Sequence, residues 1–433
     1  MSLRALILVP AISLPLALAG PARSAASPPR VPQSGAHPVD PQPRPDGNPA
    51  ALPFRVQPND AATRQGFEDF YNMDYDAAIV RFQKERERYP DDPFVVNHLL
   101  AAVLAKELNR EGQLDATLYM GNKFLELKAP PVDPQVKAQI DQLSQRALSL
   151  ANRELAENPK DVDALFARAV ARGLATVYSA VVEKRWLGAM RQGLGAYHDD
   201  QHVLKLDPKY EDAKLVVGTF QYIIGSLTWW EKSLVFVADM HGNKAKGLAL
   251  LRQAVAGGGE ESIDASTILA LFLARDGHYD EALALLARDY TDFPHNFILG
   301  LAVADLLNAS GKHEQAVVAY RKLVNLGEQG YFPDARVERA AYSLGQALRQ
   351  QKDLSAAARA FDAALLYPDA NPGITAPAAL EAGEVYDLLG ERAKAVERYR
   401  RAQSIAPPQS DTSRAAARFL KHPYAAPESD SRR

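Results

Sequence analysis

Small residues recur at a fixed interval along the C-terminal half of this 433-residue chain, with Ala282 echoed by Ala316, 34 residues further on. That length accommodates one helix–turn–helix, whose apolar face is too wide to bury on its own. The face must be covered by the next copy, so the chain is constrained to stack units side by side around a continuous core.

The residues between these markers support helices throughout. Apolar positions recur at i, i+3, i+4 and i+7, glycine and proline fall at the corners, and no run of alternating β-branched residues appears. The fold class read from this pattern is all-α. In the last unit Ala382, Gly383 and Tyr386 lie on a first helix, Gly390 in the turn, Ala395, Tyr399 and Ala402 on a second helix, and Pro407 at the end. Gly345, Ala357, Phe361 and Ala364 mark the unit before it, and Ala304, Gly311, Ala316 and Tyr320 the one before that. Ala270, Gly277, Ala282, Leu286 and Pro294 open this block, and Gly66, Tyr75, Ala78, Phe82 and Pro90 place an isolated unit near the N-terminus. Small residues let paired helices approach, aromatics fill the gap between units, and proline ends a helix it cannot continue.

These five units resemble the tetratricopeptide repeat family. The resemblance implies an α-solenoid, a right-handed superhelix of antiparallel helix pairs, whose concave face receives another protein or a peptide segment. Chaperone-binding members use lysine and asparagine on the inner faces of successive first helices. The corresponding positions here include Asp264, Thr267 and Leu271, then Ile298, Leu301 and Asp305, then Arg339, Tyr342, Gln346 and Arg349, then Pro377, Leu380 and Glu384. The lysine–asparagine pair is absent, so a chaperone-tail receptor is not expected. Arg339, Tyr342, Gln346 and Arg349 form the stripe best suited to partner binding, because Arg and Tyr are favoured interface anchors.

Residues 93–258 depart from the 34-residue period. A corner recurs there: Asn158-Pro159-Lys160 followed by Asp163-Ala164, then Asp207-Pro208-Lys209 followed by Asp212-Ala213, with a third pair at Asp264-Ala265. Longer helix pairs are expected, with helices near 133–157, 161–183, 189–206, 210–238 and 243–256. Leu206–Tyr222 and Gly242–Gly258 are similar to bacterial relatives of the inclusion-body-clearance factors. Gly257-Gly258-Gly259 lacks the pattern of a phosphate loop and reads as a helix stop, with Glu260-Glu261 near the start of the next helix.

The ends read differently. Arg4, the apolar stretch Ala5–Ala19 and the small residues after it have the form of an export signal over 1–26. At 15 residues, interrupted by Pro10 and Pro15, the stretch is short for a membrane span. Residues 27–60 carry ten prolines from Pro28 to Pro58 and read as a disordered linker. The domain plan is then an N-terminal unit at 61–92, long-helix repeats at 93–258, a regular block at 259–410, and a helix remnant with a loose tail at 411–433. The chain has no cysteine, which excludes disulfides, thiol catalysis and a cysteine lipid anchor. Fifty basic residues against 53 acidic ones, without a one-signed block, give no footprint for nucleic acid.

Two constellations could carry chemistry. His198-Asp199-Asp200-Gln201-His202 places two imidazoles one turn apart on a helix, as metal ligands need, but Asp199 stands where a metalloprotease has its glutamate, and no third ligand declares itself. Trp229 and Trp230 could line an apolar ligand site among the middle helices. No catalytic set, cofactor site or metal site is expected. The sequence reads as an exported, non-catalytic scaffold for protein–protein interaction in the cell envelope. A pocket for a small molecule or glycan in the middle region is the alternative, and a metal-dependent enzyme a more distant one.

Overall fold

A computed structural model describes residues 52–114, 133–227, 241–333, 335–368 and 370–425. Among them are α1 (Ala61–Tyr71), α2 (Tyr75–Arg88), α3 (Pro93–Arg110), α4 (Pro134–Glu157), α5 (Val162–Val177, continued by a π-helical turn, Tyr178–Val182), α6 (Trp186–Leu206) and α7 (Lys214–Ser226). They are followed by α8 (Lys244–Gly257), α9 (Ser262–Arg275), α10 (Tyr279–Asp292), α11 (Phe297–Ala309), α12 (His313–Glu328) and α13 (Val337–Gln350). The last helices are α14 (Leu354–Ala364), α15 (Pro372–Leu388), α16 (Arg392–Ile405) and α17 (Asp411–Lys421). No strand occurs among the described residues. Helices pack on their sequence neighbours, which makes this an all-α, tetratricopeptide-like solenoid. It divides into two compact units, residues 1–302 and 303–433.

One packing rule builds the regular pairs. A small residue on the first helix faces a large one 16 positions later on the second: Gly66 and Phe82, Gly345 and Phe361, Gly383 and Tyr399. A Cβ at any of these three glycines would come within 2.5 Å of the facing ring. Ala270 with Leu286 and Ala304 with Tyr320 keep the same spacing. All five large residues are buried, each contributing roughly 1.5–3 kcal/mol through burial of its side chain.

Helix starts are set by short acceptors. Asp92, Asp133 and Asn371 each cap a helix whose first residue is proline, and Asp60, Asp74, Asp161, Asn243 and Asp353 cap others. Each such cap stabilises by about 1 kcal/mol, and proline fits the first turn because its missing N–H has no helical partner there. Gly258 ends α8 at φ 61°, the left-handed stop expected of the glycine run.

Within the N-terminal unit the chain returns to its own beginning. The Tyr71 hydroxyl donates to Asp264 (3.1 Å), the Asn296 side chain donates to the Tyr71 carbonyl (2.7 Å), and the Phe293 ring lies 5.2 Å from that of Tyr71. This closure corrects one sequence expectation. The spacer reads as disordered to residue 60, but Phe54 and Val56 are buried and the Arg55 amide donates to the Gly258 carbonyl (2.8 Å). Arg55 and Gln57 reach Gly257, Gly258 and Glu260, 202 or 203 residues away in sequence, while Phe54 packs on Phe67, Tyr71 and Phe293, and no local pattern announces these contacts. The tail is likewise held at its start, where the Tyr424 amide donates to Asp387 (2.7 Å). The helix expected over 210–238 begins only at Lys214, and its part beyond Leu227 lies outside the described residues.

Candidate functional site

The inner faces of α1, α3, α5, α7 and α9 converge on a cavity of about 80 Å³, several times the ~10–15 Å³ that one water needs. Aromatic walls come from α1 (Phe67, Phe70, Tyr71), α3 (Phe94) and α5 (Phe166), with the Phe94 and Phe166 rings 6.1 Å apart. Gly173 on α5 also borders the space, and a Cβ there would meet nothing within 4 Å.

Against these walls stand five carboxylates: Asp200 from α6, Asp212 ahead of α7, Glu260 and Glu261 ahead of α9, and Asp264 on α9. His98 is the one basic residue among the lining side chains. It is already engaged, with Nδ1 3.4 Å from Glu85 and Nε2 3.3 Å from Glu260. Burial works against charge on this ring, but the two carboxylates outweigh it and raise its pKa to about 10. Glu85 also accepts from the Thr63 hydroxyl (2.6 Å), and Glu260 accepts from the Gln57 amide.

The remaining acids are less well served. Asp212 accepts from the Glu261 amide (3.2 Å), and Asp264 receives only the Tyr71 hydroxyl, on one oxygen. Among the described residues, both oxygens of Asp200, Oδ1 of Asp264 and Oδ1 of Asn97 have no hydrogen-bond partner, although all three residues are buried. Burial first, and then neighbouring carboxylates, push Asp200 and Glu261 well above the usual carboxylate range. Burial and Glu260 raise Asp212 to about 7, and Asp264 is raised mainly by burial. Buried polar atoms are rarely left unpaired, since each costs about 1–3 kcal/mol.

The residues singled out from the sequence fall elsewhere. His198 and His202 are exposed, and among the described residues no three His, Cys, Asp or Glu side chains are placed to hold a metal ion. Asp199 faces inward but is locked by Arg168 (2.7 Å) and Arg172 (2.5 Å). Its neighbour Asp200 lines the cavity. Trp229 and Trp230, with the ligand site expected around them, lie outside the described residues.

The stripe on α13 is brought together, in the C-terminal unit, but its polar groups bond within the protein. Tyr342 donates to Glu381 (2.6 Å), Gln346 donates to the Tyr342 oxygen (2.9 Å), and Arg349 pairs with Glu384 (2.8 Å) and donates to the Tyr424 hydroxyl (3.1 Å). Arg339 is 8% exposed and donates to Ser343. Of the cavity residues, Asp264 was marked by its inner position, and Asp212, Glu260 and Glu261 were visible only as corner and helix-start residues. Asn97 and His98 carry no sequence signal that separates them from core polar groups.

No protein-family model matches the chain, and no curated protein matches it. Solved structures do. The Cut9 and Hcn1 hetero-tetramer of the APC/C is 14% identical over 83% of this chain, with a TM-score of 0.46, and the chain spans about half (55%) of that one. A human IFIT1 dimer with m7Gppp-AAAA is 13% identical, covering 85% of this chain and 82% of the other, with a TM-score of 0.42. A thermophilic tetratricopeptide protein of Thermus thermophilus is 20% identical, covering 57% of this chain and 97% of the other, with a TM-score of 0.32. The similarity of Leu206–Tyr222 and Gly242–Gly258 to inclusion-body-clearance relatives gains no support from these structures.

Proposed function

We propose that the chain is a non-catalytic scaffold that receives a segment of another protein on the inner face of its N-terminal unit. The observation that carries this reading is the convergence of α1, α3, α5, α6, α7 and α9 on one cavity whose buried acceptors have no hydrogen-bond partner among the described residues. Tyr71 holds one of those acceptors, Asp264, and is itself fixed by Asn296 and Phe293 before any partner arrives. Less ordering entropy is then lost on binding. Five lining carboxylates against one imidazole disfavour a phosphate backbone, so the proposed partner is a protein and not a nucleic acid. The proposal places this work in the cell envelope, on the strength of Arg4 and the apolar stretch Ala5–Ala19.

Gly173→Leu tests the reading, because a Cβ there meets nothing within 4 Å, the longer side chain takes up cavity space, and a helix-interior glycine is removed. The variant is expected to fold at least as well as the parent. Affinity purification from an envelope extract, with cross-links mapped by mass spectrometry, should return a stoichiometric protein cross-linked to α3, α5 or α9. That protein should be lost from the variant. A partner retained by Gly173→Leu, or cross-linked only to residues 303–433, would contradict the proposal.

A further inference from the structure

Among the described residues, the unsatisfied side-chain atoms that line the cavity are all of one kind. Asp200 Oδ1 and Oδ2, Asp264 Oδ1 and Asn97 Oδ1 are acceptors, and no lining donor is unpartnered. Whatever completes the site must therefore bring hydrogen-bond donors. Charge narrows the choice further, since five carboxylates surround the space and the one imidazole is committed to Glu85 and Glu260. Burial holds Asp200, Asp212, Glu261 and Asp264 toward their protonated forms while the site is empty, and a cation, unlike a neutral donor, draws those protons off and pairs with the carboxylates so formed. A metal ion is disfavoured because no three ligating side chains are suitably placed among the described residues. The walls contributed by Phe67, Phe94 and Phe166 suit an apolar stem and favour a cation near their faces.

We propose that the cavity takes one alkylammonium or guanidinium group, the head of a lysine or arginine side chain carried by the partner segment. This inference rests on the reading of the N-terminal unit as a recognition surface. Four oxygens are orphaned: the five donors of a guanidinium can serve all of them, and the three of an ammonium all but one. The alkyl stem lies against the aromatic walls while the head meets Asp200 and Asp264. The cavity, at about 80 Å³, accommodates such a head and not a folded peptide.

Calorimetric titration of the full chain tests the inference with four probes: acetyl-Gly-Lys-Gly-amide, its arginine and norleucine counterparts, and n-butylamine. Saturable binding of the lysine or arginine peptide is expected, with none for the norleucine peptide. Loss of a charge-assisted hydrogen bond should weaken that binding about ten-fold or more in Asp200→Asn and Asp264→Asn. Gly173→Leu should abolish it, and serves if either aspartate variant fails to fold, as judged by circular dichroism. Butylamine binding without peptide binding would leave the cation site standing and overturn the protein-segment reading beneath it. Equal binding of the norleucine peptide would overturn the cation site and leave a recognition surface. Binding of none of the probes would overturn the inference outright.

Discussion

His98 sits between Glu85 and Glu260, and its ring centre lies 4.8 Å from that of Phe67 and 5.4 Å from that of Phe82. It ties α2 and α3 to the residues that open α9. Glu85 is 1% exposed, so removing the imidazole strands a buried carboxylate. His98→Ala is expected to cost about 3–5 kcal/mol of stability, measurable as a lowered urea midpoint. A loss below 1 kcal/mol would show that the pair is solvated. At this scale the sequence is a poor guide, and Asp199 and Asp200 show why. They are adjacent, identical in type and both buried, yet one is bonded to two arginines and the other to none of the described residues. A 100° rotation along the helix separates those fates, and only the positions of neighbouring helices assign them.

Elements were far more legible. The 16-residue interval from small to large residue follows directly from the geometry of a helix pair, so Gly66, Gly345 and Gly383 announced close approach before any coordinates did. The recurring Asp-Ala pair falls at a helix start each time, in the first turn of α5 (Asp163) and of α9 (Asp264) and just ahead of α7 (Asp212). Asp163 accepts from Tyr210 (3.0 Å), while Asp212 and Asp264 line the cavity. Their joint place stayed hidden because Asp212 and Asp264 border one cavity only when α7 and α9 are packed together. The docked end of the proline-rich spacer was illegible for the same reason. Two glycines give the packing rule opposite signs to test. Gly383→Ala drives a Cβ into Tyr399 and should cost about 1–3 kcal/mol by overpacking. Gly173→Ala meets open space and should gain roughly 0.5–1 kcal/mol from reduced chain entropy. Thermal melts of the two variants that moved in the same direction would contradict the rule.

Across the N-terminal unit, the closure of α1 onto α9 and α10 encloses acidic groups that a purely structural interior would replace. Proteins retain such groups where binding requires them, at a cost in stability. Asp200 states the conflict most simply, being fully buried and bonded to no group among the described residues. Its folded pKa is raised well above the unfolded value of 3.8. The folded state therefore holds the proton more tightly, and the stability contributed by this group falls as pH rises above about 4. Asp212, raised to about 7, adds the same trend over pH 4–7. The direct measurement is urea denaturation of the parent and Asp200→Asn, with the uncombined protein, at pH 5 and pH 8. If the cavity is kept acidic for an incoming cation, Asp200→Asn is the more stable chain at both values, and its advantage is larger at pH 8. An Asp200→Asn variant that is less stable than the parent at pH 8 would mean that the carboxylate serves the fold itself, and would contradict the central claim.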